Sequence, residues 1–545
     1  MKMLKICFLV LAGSVAVLSL AYPARAVDYT LLGKKVAIEG FFRQEFAFGT
    51  ADTNPYKTNQ SGLHSAYQMW YLDTNTKLTN NLEVRAIFRL WGDLIYALRD
   101  DHGHFERYFK SSKKNLQWDD DFEHILREFY VSYYSSNFFM RIGKQQVGWG
   151  QADGLRLMDI INPLDGRRGP FYDTEGYEEV RIPKWLIKTE FYPGDLGSFY
   201  DLALELIWNP GDVKEYGELL PPYANAQLGG STGFFGPGVP VGAQKQWGIW
   251  AIPVNFVPLP VRLNKKERAT ALKNSEYGGR IKFSYKNTMI TLNYWQGFQT
   301  DCVLKFRGIV PDSVNGSVFP PLGVMTPSTL VMDREYRRMR IAGFTLSREL
   351  FGVGPMVKQP ANPVLRVEAL YDFKHPFNTA RNTATDMLVI KTYDQIRYMI
   401  GCDWPMRLNW INPTKNTFVS AQMFHIHTLN YRGGIDAPRP APFYTWTYPK
   451  NQFYTTLMLR TEYLHETLVP SILYAHDYNN HSAWAKTKVL FRIGDHWRPE
   501  VGYLWIGKNT HHTQSMGLTT ISDNWKSFGT FEDRDEVYIR IQYQF

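Results

Sequence analysis

The sequence predicts an all-β protein, a transmembrane antiparallel up-and-down β-barrel of about 18 strands, with about 16 as the nearest alternative. Three observations support this prediction. Apolar and polar residues alternate with period two along most of the chain, the connections between these stretches are mostly alternately short and long, and the chain ends on an aromatic residue. Period-two alternation gives a strand one apolar and one polar face.

The chain begins with a segment typical of a secretory signal peptide, which we place at 1–26. Two lysines precede an apolar run over 6–20, and the pattern Ala-Arg-Ala follows at 24–26. A membrane anchor is the alternative, but the run is shorter than the ~20 residues of a spanning helix. No linker divides the remainder, so we predict that 27–545 forms one outer-membrane β-barrel domain.

Composition excludes several classes of protein. The net charge of +9 is modest, three of those charges belong to the leader, and no block of Lys and Arg suggests nucleic-acid binding. Only Cys302 and Cys402 lie outside the leader, which excludes a disulfide scaffold. The motif for covalent haem is absent as well. We therefore expect no cofactor and no metal site.

The alternation places each strand in turn. We expect strands near 36–48, 66–78, 82–95, 123–134, 138–148, 184–192, 198–208, 277–286, 288–298, 337–350, 363–374, 393–404, 417–428, 453–465, 467–477, 484–494, 496–508 and 535–545.

The connections predict the location of the protein. Short turns and long loops in alternation are typical of barrels in the outer membrane of Gram-negative bacteria, with turns in the periplasm and loops outside the cell. An even number of strands would place both termini in the periplasm. A soluble sandwich or propeller is the alternative, but it does not need strands of ~9–11 residues.

The last eleven residues predict how the barrel closes. The apolar side chains in 535–545 alternate with polar ones up to the terminal Phe545. In lipid an unpaired strand edge leaves backbone groups unsatisfied, so we expect this strand to pair with the first. The terminal aromatic is similar to the signal read by the barrel assembly machinery. That machinery and outer-membrane lipid are therefore expected partners.

The polar faces of the strands predict the residues that line the pore. Thirteen are cationic and five acidic. Two interpretations remain open: cross-paired charges that hydrate the interior, or a site that binds carboxylate or phosphate. The predicted residues are Arg85, Arg89, Glu128, Arg141, Lys188, Glu190, Glu205, Arg280, Lys282, Arg340, Arg366, Glu368, Arg397, Arg460, Glu462, Lys488, Arg492 and Arg540.

The third long loop, 149–183, is predicted to fold inward as a constriction. Its glycines allow sharp turns, and its charged residues offer local ion pairs. The alternative is that the acids cap backbone N–H groups and only stabilise the fold. The residues predicted at the constriction are Asp153, Arg156, Asp159 and Asp165.

The fourth long loop, 209–276, is rich in glycine and proline and also in aromatic residues. Solvated loops rarely need that much apolar surface. We predict either an apolar lid over the barrel mouth or a loop packed on its neighbours at the rim. The aromatic residues concerned are Phe234, Phe235, Trp247, Trp250 and Phe256.

Aromatic residues near strand ends are predicted to be girdle anchors at the membrane interfaces. These are Trp70, Tyr71, Trp295, Trp404 and Trp505. Signals for an enzyme are weaker. The motif GGSTG at 229–233 lacks the spacing of a nucleophile elbow, and the histidine pairs lack a third ligand. We expect no catalytic residues.

A family resemblance adds to this picture. The stretch LREFYVSYYSSNFFMRIGKQQVGWGQADGLRLMDIINPLD at 126–165, followed by RIPKWLIKTEFY at 181–192, resembles the bacterial family called domain of unknown function 1302. The resemblance implies an outer-membrane β-barrel. It also implies partners among periplasmic carriers and inner-membrane transporters of the resistance–nodulation–division type that handle lipidic cargo. It supplies no catalytic residues.

These observations leave several functions open. The first is a porin-like channel or transport protein for small solutes or lipid-like molecules. The second is the outer-membrane component of a hydrophobic-cargo export system that works with an inner-membrane pump and a periplasmic carrier. An outer-membrane hydrolase and a sheath around a cytochrome are less favoured. Cargo, direction of transport, gating and oligomeric state are left open by the sequence.

Overall fold

The computed structural model describes residues 27–31, 33–50, 62–95, 122–165, 178–212, 261–265, 271–299, 303–311, 317–318, 327–379, 389–438, 447–507, 513–516, 519–522, 527–528 and 535–545. The predicted leader at 1–26 lies outside these residues. So do all five aromatic residues of the predicted lid, Phe234, Phe235, Trp247, Trp250 and Phe256.

Within the described residues, 18 antiparallel strands form one closed ring, which confirms the predicted fold class and strand number. Every expected strand has a counterpart. The barrel strands are β1 Lys34–Gly49, β2 Gly62–Lys77, β3 Leu82–Asp93, β4 Leu126–Tyr134, β5 Phe138–Gln145, β6 Lys184–Phe191, β7 Phe199–Asn209, β8 Glu276–Tyr285, β9 Thr288–Phe298, β10 Arg338–Glu349, β11 Val364–Thr379, β12 Val389–Met406, β13 Thr417–Thr428, β14 Asn451–Arg460, β15 Leu468–Asp477, β16 Ser482–Phe491, β17 Glu500–Gly507 and β18 Glu536–Gln544.

The last strand closes the ring. β18 pairs with β1 from Phe41 opposite Gln544 to Gly49 opposite Glu536. Two backbone hydrogen bonds between Gly40 and Phe545, of 3.0 and 2.9 Å, continue this ladder to the end of the chain. The aromatic terminus is therefore part of the barrel wall, and the wall has no unpaired edge at this seam.

The connections differ at the two ends of the barrel. We call the end with the β2–β3, β4–β5 and β8–β9 connections the turn end, and the opposite end the loop end. At the turn end, Lys286 and Asn287 link β8 to β9, both with positive φ (45° and 59°), as a two-residue type I′ turn requires. The twist of that turn matches the twist of the flanking strands.

Shorter elements accompany the ring. Val27–Leu31 pairs with the first residues of β1. A small sheet contains Val261–Lys265, Val303–Pro311, Ser317–Val318 and Pro327–Glu335, and a hairpin contains Thr513–Met516 and Thr519–Ser522. The described helices are α1 Phe122–Ile125 and α2 Val353–Met356, with 3-10 turns at Leu272–Asn274 and Gly434–Asp436.

Among the described residues, no helix has the length and apolarity needed to cross a bilayer.

The outward faces of the strands form an apolar belt. In β18, Ile539 and Ile541 are 42% and 44% exposed, whereas Tyr538 is 3% exposed. Trp70 and Trp505 belong to the outward set, as predicted for girdle residues. An exposed apolar surface of this extent is typical of contact with lipid. Further members are Ile142, Leu204, Leu206, Ile281, Leu292, Ile396, Ile400 and Leu457.

Two girdle predictions are wrong. Trp295 is buried inside the barrel, where its ring meets Trp149 edge-on with the centroids 6.1 Å apart. Tyr71 stacks on Phe41 at 4.9 Å, and Arg43 lies over the same Phe41 ring. Both aromatic residues face inward because the interior of this barrel contains packed apolar groups, which the expected polar interior did not include.

Candidate functional site: the barrel interior

Part of the third long loop lies inside the barrel. We call its described residues, 146–165 and 178–183, the inner segment. Glu368 on β11 accepts hydrogen bonds from the backbone N–H of Gln151 and, at 3.0 Å, from that of Met158. A buried carboxylate that accepts two backbone N–H groups fixes the position of a loop strongly, because losing it would leave buried donors unsatisfied.

A second anchor lies beside the first. Arg366, also on β11, donates to Asp153 and to Asp403, both at 2.6 Å. Gln422 on β13 holds the other side of Asp153, since its amide donates to the Asp153 carboxylate at 2.8 Å and its oxygen accepts the Asp153 N–H at 3.0 Å. Arg366 on β11 and Gln422 on β13 thus hold the inner segment against the barrel wall.

Apolar packing completes this attachment. Trp149, Leu157, Met158 and Ile161 of the inner segment are each at most 3% exposed. They belong to one cluster with inward-facing residues of the wall, namely Leu186, Ile207, Trp295, Met339, Ile341, Leu370, Met399 and Phe424. The side of the interior from β6 to β13 is therefore packed like the core of a soluble protein.

Because Gly343 on β10 has no side chain, the Met158 side chain can lie against the β10 backbone. A Cβ at that position would lie 2.4 Å from the Met158 Cε and 2.4 Å from the Ala369 carbonyl oxygen. Gly154 is at the far reach of the segment, where an added Cβ would be 3.3 Å from Leu473 and 3.4 Å from Thr456. The first arm of the inner segment consequently extends as far as β14 and β15.

The second arm, 178–183, contacts the opposite wall. Arg43 on β1 pairs with Glu179 at 2.7 Å, and Arg89 on β3 donates to the Glu179 carbonyl at 2.6 Å. The two arms are joined to each other, because Arg181 pairs with Asp159 at 2.8 Å. The inner segment thus spans the interior between β1–β3 and the β11–β15 wall.

The predicted constriction residues all lie in this segment. Asp153 and Asp159 are held by Arg366 and Arg181 as described, and Arg156 donates to the carbonyls of Asp159 and Asn162. Asp165 joins the arms through its backbone N–H, which donates to the Val180 carbonyl at 2.7 Å. These contacts support the interpretation that the charged residues stabilise the fold. The constriction of a path through the barrel by this segment stays a prediction.

Charge pairs cross the wall near β5 to β8. Glu205 lies 3.3 Å from Lys188 and 2.9 Å from Arg280, and it accepts a 2.6 Å hydrogen bond from the Trp149 indole. Glu190 pairs with Lys188 at 2.8 Å and with Lys282 at 2.9 Å. Three predicted cations and an inner-segment tryptophan therefore surround the carboxylates of Glu190 and Glu205.

Three more predicted residues lie near this network. Arg141 donates to the Ser132 hydroxyl at 3.1 Å and lies over the Tyr130 ring at 4.1 Å. Arg85 is paired with Asp73 at 2.9 Å. Glu128 accepts a 2.7 Å hydrogen bond from Gln146, the first residue of the inner segment.

The remaining wall carries three further groups of pairs. Arg540 lies 2.7 Å from Glu45 and 3.1 Å from Glu500, and Lys488 lies 3.5 Å from Glu500. Arg397 pairs with Asp372 at 2.7 Å. At the turn end, Glu462 is shared by Arg460 at 3.5 Å and Arg492 at 3.2 Å.

These partners favour paired charges over an unpaired cationic wall. The sequence analysis missed five acids that pair with the predicted cations: Glu45, Asp73, Asp372, Asp403 and Glu500. Two of them, Asp372 and Asp403, sit on the same period-two faces as Arg366 and Arg397, which were already assigned to the interior, so alternation alone contained the signal for them. Glu45, Asp73 and Glu500 lie on β1, β2 and β17, where no assigned residue marked the inward face.

Three predicted pore-lining residues need correction. Arg340 shares its strand face with the exposed Phe344 and lies over the Phe373 ring at 5.9 Å, so it faces outward near the loop end. Its neighbours Met339 and Ile341 face inward instead, because the inner segment covers them. Glu205 and Glu368 do face inward, but both are 0% exposed beneath Trp149 and the inner segment, so neither lines an open path.

A cavity of about 550 Å³ lies in the interior at the turn end. Its lining combines cationic and apolar side chains from β13 to β16. Leu473, which the tip of the inner segment approaches at Gly154, belongs to this lining. The lining includes Phe418, Met458, Arg460, Leu473, Lys486 and Lys488.

In the part of the chain that the structure describes, no group of three His, Cys, Asp or Glu side chains is arranged to hold a metal ion. His425 and His427 both contact the Asn451 side-chain oxygen, at 3.1 and 2.6 Å. His425 also stacks on Phe453, which is an outward-facing residue. This histidine pair thus belongs to the outer surface near the loop end.

Comparison with solved structures finds outer-membrane proteins of low sequence identity. OmpF of Salmonella typhi in complex with daunomycin is 9% identical, with 94% of this chain and 98% of that chain covered and a TM-score of 0.38. OpdK of Pseudomonas aeruginosa is 7% identical over 94% and 98%, with a TM-score of 0.42. The channel DcaP of Acinetobacter baumannii is 8% identical over 95% and 100%, with a TM-score of 0.37.

No curated protein matches the chain. A family model described as protein of unknown function DUF1302 matches residues 8–545. The resemblance noted in 126–165 and 181–192 thus extends over nearly the whole chain. The chain belongs to the DUF1302 family.

Proposed function

We propose that the protein is a channel of the Gram-negative outer membrane, with a solute path through the barrel interior. The observation that carries this proposal is the contrast between the two strand faces. The ring is closed by hydrogen bonds, its outer face is an apolar belt, and its inner face carries charged side chains. Some of these charged side chains, such as Arg460 and Arg492, are 39% and 32% exposed and so are hydrated, and a hydrated interior gives solutes a path.

The inner segment supplies the selectivity of the proposed channel. Its two arms contact walls on both sides of the interior, at Arg43 and at Glu368. The path therefore runs beside the segment, along the charged wall formed by Lys488 and Arg540. A path of this kind is narrower than the barrel and lined by fixed charges, which sort solutes by size and charge.

Planar bilayer recording tests the proposal. We expect the purified barrel to give stepwise conductance. A variant in which residues 150–160 are replaced by a short Gly-Ser linker removes the tip of the inner segment and is expected to give larger steps. A folded barrel that never conducts, with or without those residues, would rule out the channel.

A second candidate function is export of hydrophobic cargo together with a periplasmic carrier and an inner-membrane pump. The apolar side of the turn-end cavity favours it, since Phe418, Met458 and Leu473 line that cavity. An apolar lining suits a cargo with an apolar body. Retention of a lipid-like molecule through purification, detected by native mass spectrometry, would support this function. Normal lipid traffic in a deletion strain would count against it.

A further inference from the structure

The turn-end cavity has two chemically different sides. One side is charged and mainly cationic: Lys415, Arg460, Lys486 and Lys488 line it together with one acid, Glu462. The other side is apolar and is formed by Phe418, Met458 and Leu473 among others. At about 550 Å³ the cavity has the size of a small-molecule binding site.

Of Arg460 and Lys488, Arg460 is the more open cation at this cavity. It lies 3.5 Å from Glu462, whose carboxylate also serves Arg492, and the Arg460 side chain is 39% exposed. Lys488 lies 3.5 Å from Glu500, whose carboxylate also serves Arg540 at 3.1 Å, and the Lys488 side chain is 11% exposed. A guanidinium has five N–H donors, so the long contact of Arg460 to a shared carboxylate leaves donors for a ligand.

Other arginines of the interior lie closer to their carboxylate partners. Arg366 lies 2.6 Å from each of two carboxylates, and Arg540 lies 2.7 Å from Glu45. Those arginines are committed to holding the inner segment or the barrel seam. Arg460 and Lys488 hold neither, and both residues line the cavity.

The apolar side continues beyond the cavity. Leu473 is 3% exposed and packs in one cluster with Ala475, Trp484 and Leu504, against which Met458 also lies. The tip of the inner segment approaches the same leucine from the loop end. An apolar group in the cavity would therefore contact Met458 and Leu473, behind which Trp484, Leu504 and Phe528 fill the interior.

We propose that this cavity binds a small amphipathic anion, with a carboxylate or similar acid on Arg460 and Lys488 and an apolar body on Phe418, Met458 and Leu473. The inference deepens the proposed channel function, on which it rests, by naming the class of solute. A bidentate contact to guanidinium orients the acid group, and burial of the apolar body adds hydrophobic stabilisation in proportion to the area removed from water. A bare inorganic anion would gain only the first of these contributions, and an amphipathic cation only the second.

The test uses the full-length mature protein in nanodiscs of uncharged phosphatidylcholine, so that no anionic lipid headgroup competes for the cations. The probes are 4-phenylbutyrate, acetate, which lacks the apolar body, and 4-phenylbutylammonium, which reverses the charge. Binding is measured by calorimetric titration against protein-free nanodiscs, which corrects for partition into lipid. We expect 4-phenylbutyrate to bind at least tenfold more tightly than either control probe.

Variants separate the two sides of the cavity. Arg460→Gln and Lys488→Gln should each weaken 4-phenylbutyrate at least fivefold, and Met458→Ser should weaken 4-phenylbutyrate but leave acetate unchanged. Lys391→Gln is the matched control, because it removes one charge at the loop end, where Lys391 pairs with Asp436. Far-ultraviolet circular dichroism establishes that each variant is folded before titration.

The outcomes distinguish this inference from the proposed function. A wild-type protein that conducts but binds 4-phenylbutyrate no better than acetate overturns the inference and leaves the channel. A protein that binds the probe as expected but never conducts overturns the channel and leaves the site. Binding that is unchanged in both cation variants, or weakened equally in Lys391→Gln, overturns the inference.

Discussion

Two sides of the barrel interior follow the same strand alternation and have opposite chemistry. On β9 to β11, the inward residues Trp295, Ile341 and Leu370 are apolar and buried. On β16 and β18, the inward residues Lys488 and Arg540 are charged. The inner segment lies against the first side and is held there by Glu368. The chemistry of an inward position thus depends on what covers it, even though its direction follows from the strand.

The two sides should also depend on different forces. The covered side resembles a protein core, in which the removal of a group leaves a cavity or an unsatisfied donor. The charged side depends on cross-strand pairs in which one arginine serves two carboxylates, such as Arg540 with Glu45 and Glu500. Mutations on the two sides should therefore destabilise the protein for different physical reasons.

The largest effect is expected at the barrel seam. Arg540→Met leaves the carboxylates of Glu45 and Glu500 without their shared cation, and these side chains are only 7% and 3% exposed. Removing one partner of a buried pair typically costs about 3–5 kcal/mol. We expect that loss in the free energy of unfolding, measured by urea titration in lipid vesicles.

Arg340→Met is the matched control for this change. Arg340 faces outward over Phe373, with no buried carboxylate to abandon, so its replacement should change the free energy of unfolding by about 0–1 kcal/mol. Equal losses in the two variants would contradict the assignment of the two arginines to opposite faces.

The next effect concerns the anchor of the covered side. Glu368→Ala removes the acceptor for the N–H groups of Gln151 and Met158. Two buried donors without partners should lower the free energy of unfolding by about 2–3 kcal/mol. Because the inner segment loosens from the wall, single-channel conductance in planar bilayers should also rise.

Glu462→Ala is the comparison on the other side. The Glu462 carboxylate is 28% exposed and pairs with Arg460 and Arg492, which are 39% and 32% exposed. The free energy of unfolding should therefore fall by only about 0–1 kcal/mol, and the conductance steps should not become larger. A conductance increase in Glu462→Ala but not in Glu368→Ala would place the constriction away from the inner segment.

A smaller effect sharpens the packing difference. Gly343→Ala on the covered side places a Cβ against Met158 and the Ala369 carbonyl, which should cost about 1–3 kcal/mol through overpacking. Gly279→Ala on the outer face meets only Leu206 and the Glu205 carbonyl, at 3.2 and 3.3 Å. It should be neutral or stabilising by about 0.5–1 kcal/mol, since glycine weakens a strand. Thermal unfolding of both variants checks this order.

The smallest effect is expected at the turn end outside the strands. A hydrogen bond from Lys415 lowers the pKa of Glu466, and the same contact raises the pKa of Lys415. A lowered acid pKa stabilises the fold above the unfolded pKa, and that contribution disappears as pH falls through the folded pKa. Both side chains are solvent-exposed (50% and 52%), so solvent screens the pair, and Glu466→Gln should leave the pH dependence of the urea midpoint unchanged within error. A clear flattening of that dependence at acid pH would show that this pair is not solvated.

Much of the fold could be predicted from the sequence, for a physical reason. Lipid outside and water inside force each strand to alternate, so the positions of all 18 strands and the closing role of Phe545 were readable. Inner-wall residues such as Arg366 and Arg540 followed from the same alternation. The expectation of local ion pairs in 149–183 holds for Asp159, which pairs with Arg181 of the same loop, whereas Asp153 pairs with Arg366 of the wall.

The interior packing could not be predicted in the same way. Alternation does not reveal that a loop distant in sequence covers Met339 and Ile341, so polarity suggested the wrong face for Arg340. Trp295 was misassigned for the same reason, because an apolar inward residue looks like an outward one until its cover is known. The turn-end cavity combines residues from separate strands and from the turn at 415–416, and no local pattern marks such a combination.

Cysteine accessibility tests the central claim, which is that the inner segment covers one side of the interior and leaves the other in contact with water. In a background with Cys302→Ser and Cys402→Ser, single cysteines are introduced as Lys488→Cys, Leu370→Cys and Leu457→Cys, and a charged, membrane-impermeant thiol reagent is applied to the barrel in lipid vesicles. We expect rapid labelling at 488 only, because 370 lies under the inner segment and 457 faces acyl chains. Equal labelling at 488 and 370 would contradict the claim.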